Sequence, residues 1–171
     1  MNRVCWDMET LLFSNDFKYA KTIDDRRKHA PKMRVACVLF EATGAYDYFL
    51  PERAGALIAC LVQAEESISY NGKGFDLLVL QRHYGLSQAD CDKINAHHVD
   101  LFEVAKSATG SFISLHRLAQ LNLQETKQVQ GQNMADLPLE ALKEACRSDV
   151  SQTYRLWQLH QRGELKFPGR S

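Results

Sequence analysis

Four acidic residues of this chain lie in segments whose apolar pattern predicts burial: Asp7, Glu9, Asp76 and Asp149. The first two alternate with apolar residues in a strand-like segment, the third follows a glycine-rich turn, and the fourth lies within a helical apolar pattern. A buried carboxylate is costly unless it is paired, hydrogen-bonded or bound to a cation. If folding brings the four together, they would form a site for hard divalent metal ions.

Composition predicts a single domain over residues 1–171 with a core of ordinary size. The 21 basic and 21 acidic residues balance, so no overall basic field indicates nucleic acid, although local basic groups can still guide a strand. The five cysteines contain no CxxC pair, which argues against a disulfide scaffold or zinc knuckle and favours a reducing compartment. With no leader pattern and no long apolar run, we expect a soluble cytoplasmic protein without a membrane partner.

Hydrophobic periodicity predicts a mixed sheet followed by helices. The predicted strands are Val4–Glu9, a short one near Phe17–Thr22 in a polar excursion (14–32), a hairpin of Arg34–Glu41 and Tyr46–Leu50, then Ser67–Tyr70 and Val99–Leu101. The predicted helices run from Pro51 to near Glu65, Phe75–His83, Phe102–Lys106, Leu115–Leu121, and Pro138 to near Arg162 in one or two pieces. This order predicts an α/β fold of three layers, with a mixed central sheet flanked by helices and a helical C-terminal part.

Asp7 and Glu9 are two positions apart, so on a strand their side chains lie on the same face. Two like charges on one face repel each other unless a cation lies between them, and Mg²⁺ and Mn²⁺ prefer carboxylate oxygens. The alternative is a solvent-exposed strand end carrying two hydrated acids.

The segment from Asn71 to Asp76 contains two glycines that allow a close turn before a helix. An acid in a first helical turn is favoured by the helix dipole, which is one explanation of Asp76. Asp149 lies on the stripe of Cys146 and Thr153, where a carboxylate needs a partner. Alternatively, the helix breaks at Ser148, which would then cap a new helix with Asp149 in its first turn.

Taken together, Asp-x-Glu on a first strand, Asn-x-x-x-Phe-Asp after a later strand and Cys-x-x-Asp-Val on a late helix resemble the DEDD exonuclease superfamily of the ribonuclease H-like fold. The segment Ser69–Asp76 is most similar to the second exonuclease motif of family B DNA polymerases and their stand-alone relatives. The resemblance covers residues 3–160 and implies a ribonuclease H-like domain.

This resemblance implies a two-metal-ion 3′–5′ exonuclease acting on the 3′ end of single-stranded DNA or RNA. It implies that two Mg²⁺ or Mn²⁺ ions are held by Asp7, Glu9, Asp76 and Asp149, and that the substrate is contacted by Met8, Thr10, Asn71, Lys73 and Phe75. Two other hypotheses are a catalytically impaired module of the same fold, which binds nucleic acid or a protein partner, and an unrelated α/β protein whose acids are surface caps.

The superfamily usually has a Tyr or His four or five residues before its last acid, where it orients the attacking water. Here those positions hold Ala145 and Glu144, so Glu144 is a candidate base. Tyr154 is five residues after Asp149 and does not share its face, and the other candidates from elsewhere in the fold are His116, His160 and Tyr70.

Some further residues allow both a structural and a functional interpretation. We expect a surface turn at His97 and His98, and at Asp100 either a helix N-cap or a residue that supports the site. The basic run Arg26–His29 is either a hydrated loop or a phosphate contact. Trp6 and Phe75 either belong to the core or stack on a terminal base.

Overall fold

In the computed structural model, which describes residues 1–125 and 134–169, five strands form one mixed sheet in the order β3-β2-β1-β4-β5. The strands are β1 (Arg3–Thr10), β2 (Met33–Phe40), β3 (Ala45–Phe49), β4 (Glu66–Ser69) and β5 (His98–Asp100). β2 pairs antiparallel with both β1 and β3, whereas β4 runs parallel to β1 and to β5. The predicted hairpin is therefore β2–β3, at one edge of the sheet.

Helices connect and cover the strands. They are α1 (Asn15–Lys18), α2 (Ile23–His29), α3 (Ala54–Gln63), α4 (Asp76–His83), α5 (Gln88–Ala96), α6 (Leu101–Thr109), α7 (Leu115–Leu123) and α8 (Leu139–Gln161), with short 3-10 helices at Pro51–Arg53 and Met134–Asp136. No helix among the described residues is long and apolar enough to cross a bilayer. All five cysteines are free.

The two faces of the sheet bury separate apolar cores, as the alternation in β1 predicts. Val4, Trp6 and Met8 face a core completed by side chains of α3, α4 and α5. Cys5 points to the opposite side, into a core completed by α6, α7 and α8. The predicted three-layer α/β architecture is therefore confirmed.

The parallel strands determine where the predicted site residues meet. Because β1, β4 and β5 run in the same direction, their carboxyl ends lie at one edge of the sheet. In open α/β sheets this edge is where ligands bind. Glu9 at the end of β1 and the segment from Tyr70 to Asp76 after β4 therefore come to the same edge.

The last helix, α8, is a single element of 23 residues. The break that one interpretation puts at Ser148 is wrong, because the buried residues Leu142, Cys146, Val150 and Leu156 continue one apolar stripe through that position. The helix packs against β1 and β2, which brings Asp149 to the sheet.

The strand predicted near Phe17–Thr22 is also wrong, since this segment contains the end of α1 and the N-cap residue of α2. Two hydroxyl caps explain the helices: Ser14 Oγ accepts from the backbone N–H of Phe17, and Thr22 Oγ1 accepts from that of Asp25. The predicted helix from Pro51 begins as a 3-10 turn and continues as α3.

Helix α5 is absent from the sequence-based prediction. Only Cys91 and Ile94 of its nine residues are buried, so its apolar periodicity is weak.

Candidate active site

A pocket of about 350 Å³ lies at the carboxyl end of β1. The four predicted carboxylates all line it: Asp7, Glu9, Asp76 and Asp149. They come from β1, the start of α4 and the middle of α8, so three distant parts of the chain form one wall. We call this cavity the carboxylate pocket.

Alternate positions on β1 explain the first pair of carboxylates. Asp7 and Glu9 lie on the same face of the strand, and both are half-buried. The buried Cys146 thiol of α8 donates to Asp7 Oδ2 at 3.7 Å. Ligand atoms of these three residues lie within 4.8 Å of one another, which is close enough for one ion to be shared.

Asp76 is the most deeply buried of the four, with 2% of its surface exposed, and it begins α4. The preceding loop turns tightly, since the N–H of Leu77 donates to the carbonyl oxygen of Gly72 at 2.9 Å. Asn71 has a positive φ of 65°, a conformation that is uncommon outside glycine and that asparagine adopts more readily than most residues. The sequence from Asn71 to Asp76 therefore delivers a carboxylate into the pocket at the start of a helix.

The side chain of Asp100 holds this loop in place. Its carboxylate accepts hydrogen bonds from the backbone N–H groups of Asn71 at 2.7 Å, Lys73 at 3.2 Å and Phe102 at 3.0 Å. The bond from Phe102 confirms the predicted N-cap of α6. The other two bonds give Asp100 a second role, which is to connect β5 to the loop that carries Asp76.

His98 lies in β5 and is buried, so the predicted surface turn is wrong for this residue. Its ring bridges two hydroxyls of β4, with Nδ1 at 2.5 Å from Ser67 Oγ and Nε2 at 2.7 Å from Ser69 Oγ. Burial lowers the pKa of His98 to about 3, so the ring is neutral. Ser69 Oγ also accepts from the Gly72 N–H at 3.0 Å, and the ring thereby supports the same loop.

Burial and mutual repulsion act on the carboxylates in the same direction. The pKa of Asp7 is raised well above its ordinary value, first by burial and then by the charges of Asp149, Glu9 and Asp76. The pKa of Asp76 is raised by burial and by Glu9 and Asp100. The fully ionised cluster is therefore unfavourable on its own, and hard divalent cations fit its oxygen donors.

The other predicted contact residues divide into two groups. Met8, Thr10, Asn71 and Phe75 line the carboxylate pocket. Lys73 does not line it, and its Nζ pairs with Glu103 at 3.2 Å.

The pocket also has an apolar wall, formed by Leu11, Leu12 and Phe13, which is not among the site residues predicted from the sequence. Leu12 is 65% exposed and Phe13 42% exposed. The rings of Phe13, Phe17 and Phe75 lie 5.4–5.6 Å apart, so this wall is backed by an aromatic cluster. The signal in the sequence is a run of three consecutive apolar residues that directly follows Thr10 and precedes a polar segment.

The structure does not bring Glu144 into the carboxylate pocket. Glu144 is exposed and lines a different groove, next to Arg147 and Ser151. A general base has to reach the water that it deprotonates, so the geometry gives no support to that assignment.

The aromatic candidates for the same role differ in position. Tyr70 lines the pocket, although its hydroxyl donates to the carbonyl oxygen of Ile113 at 2.6 Å, and burial raises its pKa. The Tyr154 hydroxyl donates to Glu41 Oε1 at 2.9 Å. Neither His116 nor His160 is among the described residues that line the pocket.

Comparison with known proteins shows the family. The model of the RNase H superfamily matches residues 46–137, which is more than half of the chain, so the protein belongs to this superfamily. The matched segment contains Asp76 but not the other three carboxylates. Family and fold are those of a nuclease-like module, and nucleases of this fold generally use divalent metal ions. No curated protein matches the sequence.

The structure is similar to a family B DNA polymerase from the hyperthermophilic archaeon Pyrobaculum calidifontis, with a TM-score of 0.65 and 15% sequence identity. The match covers 93% of this chain and 24% of the polymerase chain, so this protein spans about a quarter of that chain's length. At this identity the similarity establishes the fold alone. The predicted relationship to the ribonuclease H-like fold is confirmed.

We expect Gly72→Ala to destabilise the protein by about 2 kcal/mol, because an added Cβ would lie 2.3 Å from Ser69 Oγ and 2.9 Å from Ser69 Cβ. The matched control is Gly55→Ala in α3, where no heavy atom lies within 4 Å of the added Cβ and the helix gains a better former. Urea unfolding of both variants measures the difference. Equal stability of Gly72→Ala and the wild type would contradict the packing of this loop.

We expect Asp7→Asn to raise the melting temperature of the metal-free protein at neutral pH. The pKa of Asp7 is raised on folding, so its stabilising contribution is complete below the ordinary pKa and is lost as the pH rises toward the folded value. When the melting temperature is measured in EDTA from mildly acidic to neutral pH, it should decline less steeply with rising pH for the variant than for the wild type. The control is Asp24→Asn, at an exposed acid of α2, whose melting temperature should depend on pH as that of the wild type does. If the melting temperature of Asp7→Asn also follows the wild-type dependence, repulsion at Asp7 is excluded.

Proposed function

We propose that this protein is a metal-dependent 3′–5′ exonuclease that acts on single-stranded nucleic acid. The observation that carries the proposal is that four carboxylates from β1, α4 and α8 line one pocket. Their mutual repulsion raises the pKa of Asp7, which is the electrostatic condition that bound cations relieve. The polarity of digestion follows from the resemblance of the motifs and is part of the proposal.

The residues that would hold two Mg²⁺ or Mn²⁺ ions are Asp7, Glu9, Asp76 and Asp149. The chemistry that such ions supply when bound is activation of a water molecule and stabilisation of the leaving 3′ oxygen. All four side chains offer hard oxygen donors, and the loop that carries Asp76 is fixed by Asp100 before any ion binds. The protein therefore contributes a preformed ligand set rather than a nucleophile.

The rest of the pocket favours one terminal nucleotide. Its volume of about 350 Å³ is at the lower end of the range for small-ligand sites, which suits a nucleotide rather than a duplex. Leu12, Phe13 and Phe75 give a nucleobase an apolar and aromatic surface to pack against. The amide side chain of Asn71 lines the same space and can bond to sugar or phosphate. These features favour removal of end nucleotides over internal cleavage.

One observation favours the second candidate function, a module that binds a strand or a protein without cleaving it. The positions before Asp149 at which the superfamily has Tyr or His hold Glu144 and Ala145, and Glu144 lies outside the carboxylate pocket. Tyr70 lines the pocket, but its hydroxyl is bonded to a backbone carbonyl. If the protein is an active exonuclease, the attacking water would therefore be oriented by the four carboxylates themselves and not by a Tyr or His.

We expect Mn²⁺-dependent shortening of a 5′-labelled single strand, one nucleotide at a time from the 3′ end. Asp7→Asn should lower the rate at least about a hundredfold, because it removes a proposed metal ligand. Gel electrophoresis of timed samples measures the ladder. A strand with a blocked 3′ end should persist, and its internal cleavage would contradict an exonuclease.

Glu144→Gln is the matched control for this assay, since it makes the same carboxylate-to-amide change in the neighbouring groove. We expect it to retain the wild-type rate. A loss comparable to that of Asp7→Asn would instead restore Glu144 as a base. No degradation by any form, with strand binding retained, would favour the non-catalytic module.

Metal binding can be tested without any substrate. An ion that binds the folded chain alone stabilises it by RT ln(1 + [L]/Kd), about 2.7 kcal/mol at a hundredfold excess over Kd. We expect Mn²⁺ to raise the melting temperature of the wild type and of Glu144→Gln. Asp149→Asn should lose most of that rise, and an equal rise in this variant would exclude the carboxylate pocket as the binding site.

A further inference from the structure

A row of aromatic side chains leads away from the carboxylate pocket. Tyr70 lines the pocket, its ring centroid lies 6.1 Å from that of Phe102 at the start of α6, and Phe102 lies 5.2 Å from Phe112. The hydroxyl of Tyr70 also donates to the carbonyl oxygen of Ile113, next to Phe112. The loop between α6 and α7 is therefore attached to the rim of the pocket. We call Tyr70, Phe102 and Phe112 the aromatic row.

The outer end of the aromatic row is exposed to solvent. Phe112 is 74% exposed, and it lines a second groove of about 580 Å³ together with Arg117. Phe112 belongs to neither of the two apolar cores, and it shares this groove with the guanidinium group of Arg117. Its contact with Phe102 is edge-to-face, an arrangement that leaves ring surface available for stacking.

The charge near the row changes along its length: Asp100 lies close to Tyr70 at the inner end, whereas Arg117 lines the groove beside Phe112 at the outer end. Lys73 lies in the loop after β4, Lys106 follows Phe102 by one turn of α6, and Arg117 is exposed at the start of α7. Glu103 is already paired with Lys73. Within residues 1–125 and 134–169, neither Lys106 nor Arg117 makes an ion pair. Positive charge thus accompanies the exposed ring.

We propose that the aromatic row binds the single strand that leads into the carboxylate pocket, with a nucleobase stacked on Phe112 and a phosphate near Arg117. This inference rests on the proposed function, because it requires the terminal nucleotide to occupy the carboxylate pocket. Stacking on aromatic rings beside basic groups is how proteins hold single strands without reading their sequence. The path begins at a side chain of the pocket itself, which favours a continuous strand over a separate protein partner.

The test compares the binding of a long and a short probe. Fluorescence anisotropy with labelled oligothymidylate, a dodecamer and a dimer, is measured in Ca²⁺ so that no cleavage intervenes. We expect Phe112→Ala to weaken binding of the dodecamer about tenfold, the loss of one stacked base, and to leave dimer binding within about twofold. Arg117→Gln should also weaken dodecamer binding and reduce its dependence on salt.

Tyr19→Ala is the matched control, because Tyr19 is an aromatic residue of α1's C-terminal end with 77% exposure, close to that of Phe112. It should bind both probes as the wild type does. Circular dichroism and the melting temperature of each variant establish that the fold is retained. Wild-type dodecamer binding by Phe112→Ala, or an equal loss for both probes, would overturn the proposal, as would a wild type that binds no dodecamer.

These outcomes separate the inference from the proposed function. If the Mn²⁺-dependent rise in melting temperature and the digestion of short strands persist while Phe112→Ala binds the dodecamer normally, only the aromatic row is excluded. If Mn²⁺ neither stabilises the protein nor supports digestion, the exonuclease proposal fails, and a length-dependent effect of Phe112→Ala would still identify a strand-binding surface.

Discussion

Repulsion among carboxylates gathered in one pocket is the constraint on which the rest of this structure depends. Asp7 and Asp76 are held near other acids by a sheet edge and two helices that have their own packing reasons to be there. The apolar cores on both faces of the sheet supply the free energy that this arrangement needs. The site can persist because the scaffold around it is stable. Binding of cations would replace the repulsion among the carboxylates with attraction to the metal ions, which would add to the free energy of folding.

Hydrogen bonds between two strands and the preceding loop fix the position of Asp76. Asp100 accepts two N–H groups of the loop before it, and Ser69, itself bonded to the neutral His98, accepts a third. Charge-assisted bonds to backbone donors are strong, and a buried ring that bridges two hydroxyls cannot easily reorient. The loop is thus preorganised, which lowers the cost of assembling a metal site when ions and substrate arrive.

Much of this arrangement could be predicted from sequence, for reasons that differ between its parts. The alternation around Asp7 and the glycine turn before Asp76 are local patterns. They correctly predict that Asp7 lies on a strand and that Asp76 lies at the start of a helix. The surface turn predicted at His98 is wrong, because the partners of its ring, Ser67 and Ser69, are hydroxyls of another strand and leave no periodic signal. The candidate base Glu144 rests on its distance along the chain from Asp149, and residues five positions apart lie on different faces of a helix.

The continuity of α8 has a consequence for the order in which the site can come into being. During vectorial synthesis the strands and most helices emerge from the ribosome before α8, and domains fold as their residues become available. A nascent chain that still lacks α8 contains three of the four carboxylates and leaves one face of β1 and β2 uncovered. Docking of α8 covers this face of the sheet and completes the ligand set in one event. A translation product that lacks α8 would therefore have neither a covered sheet face nor the complete set of four carboxylates.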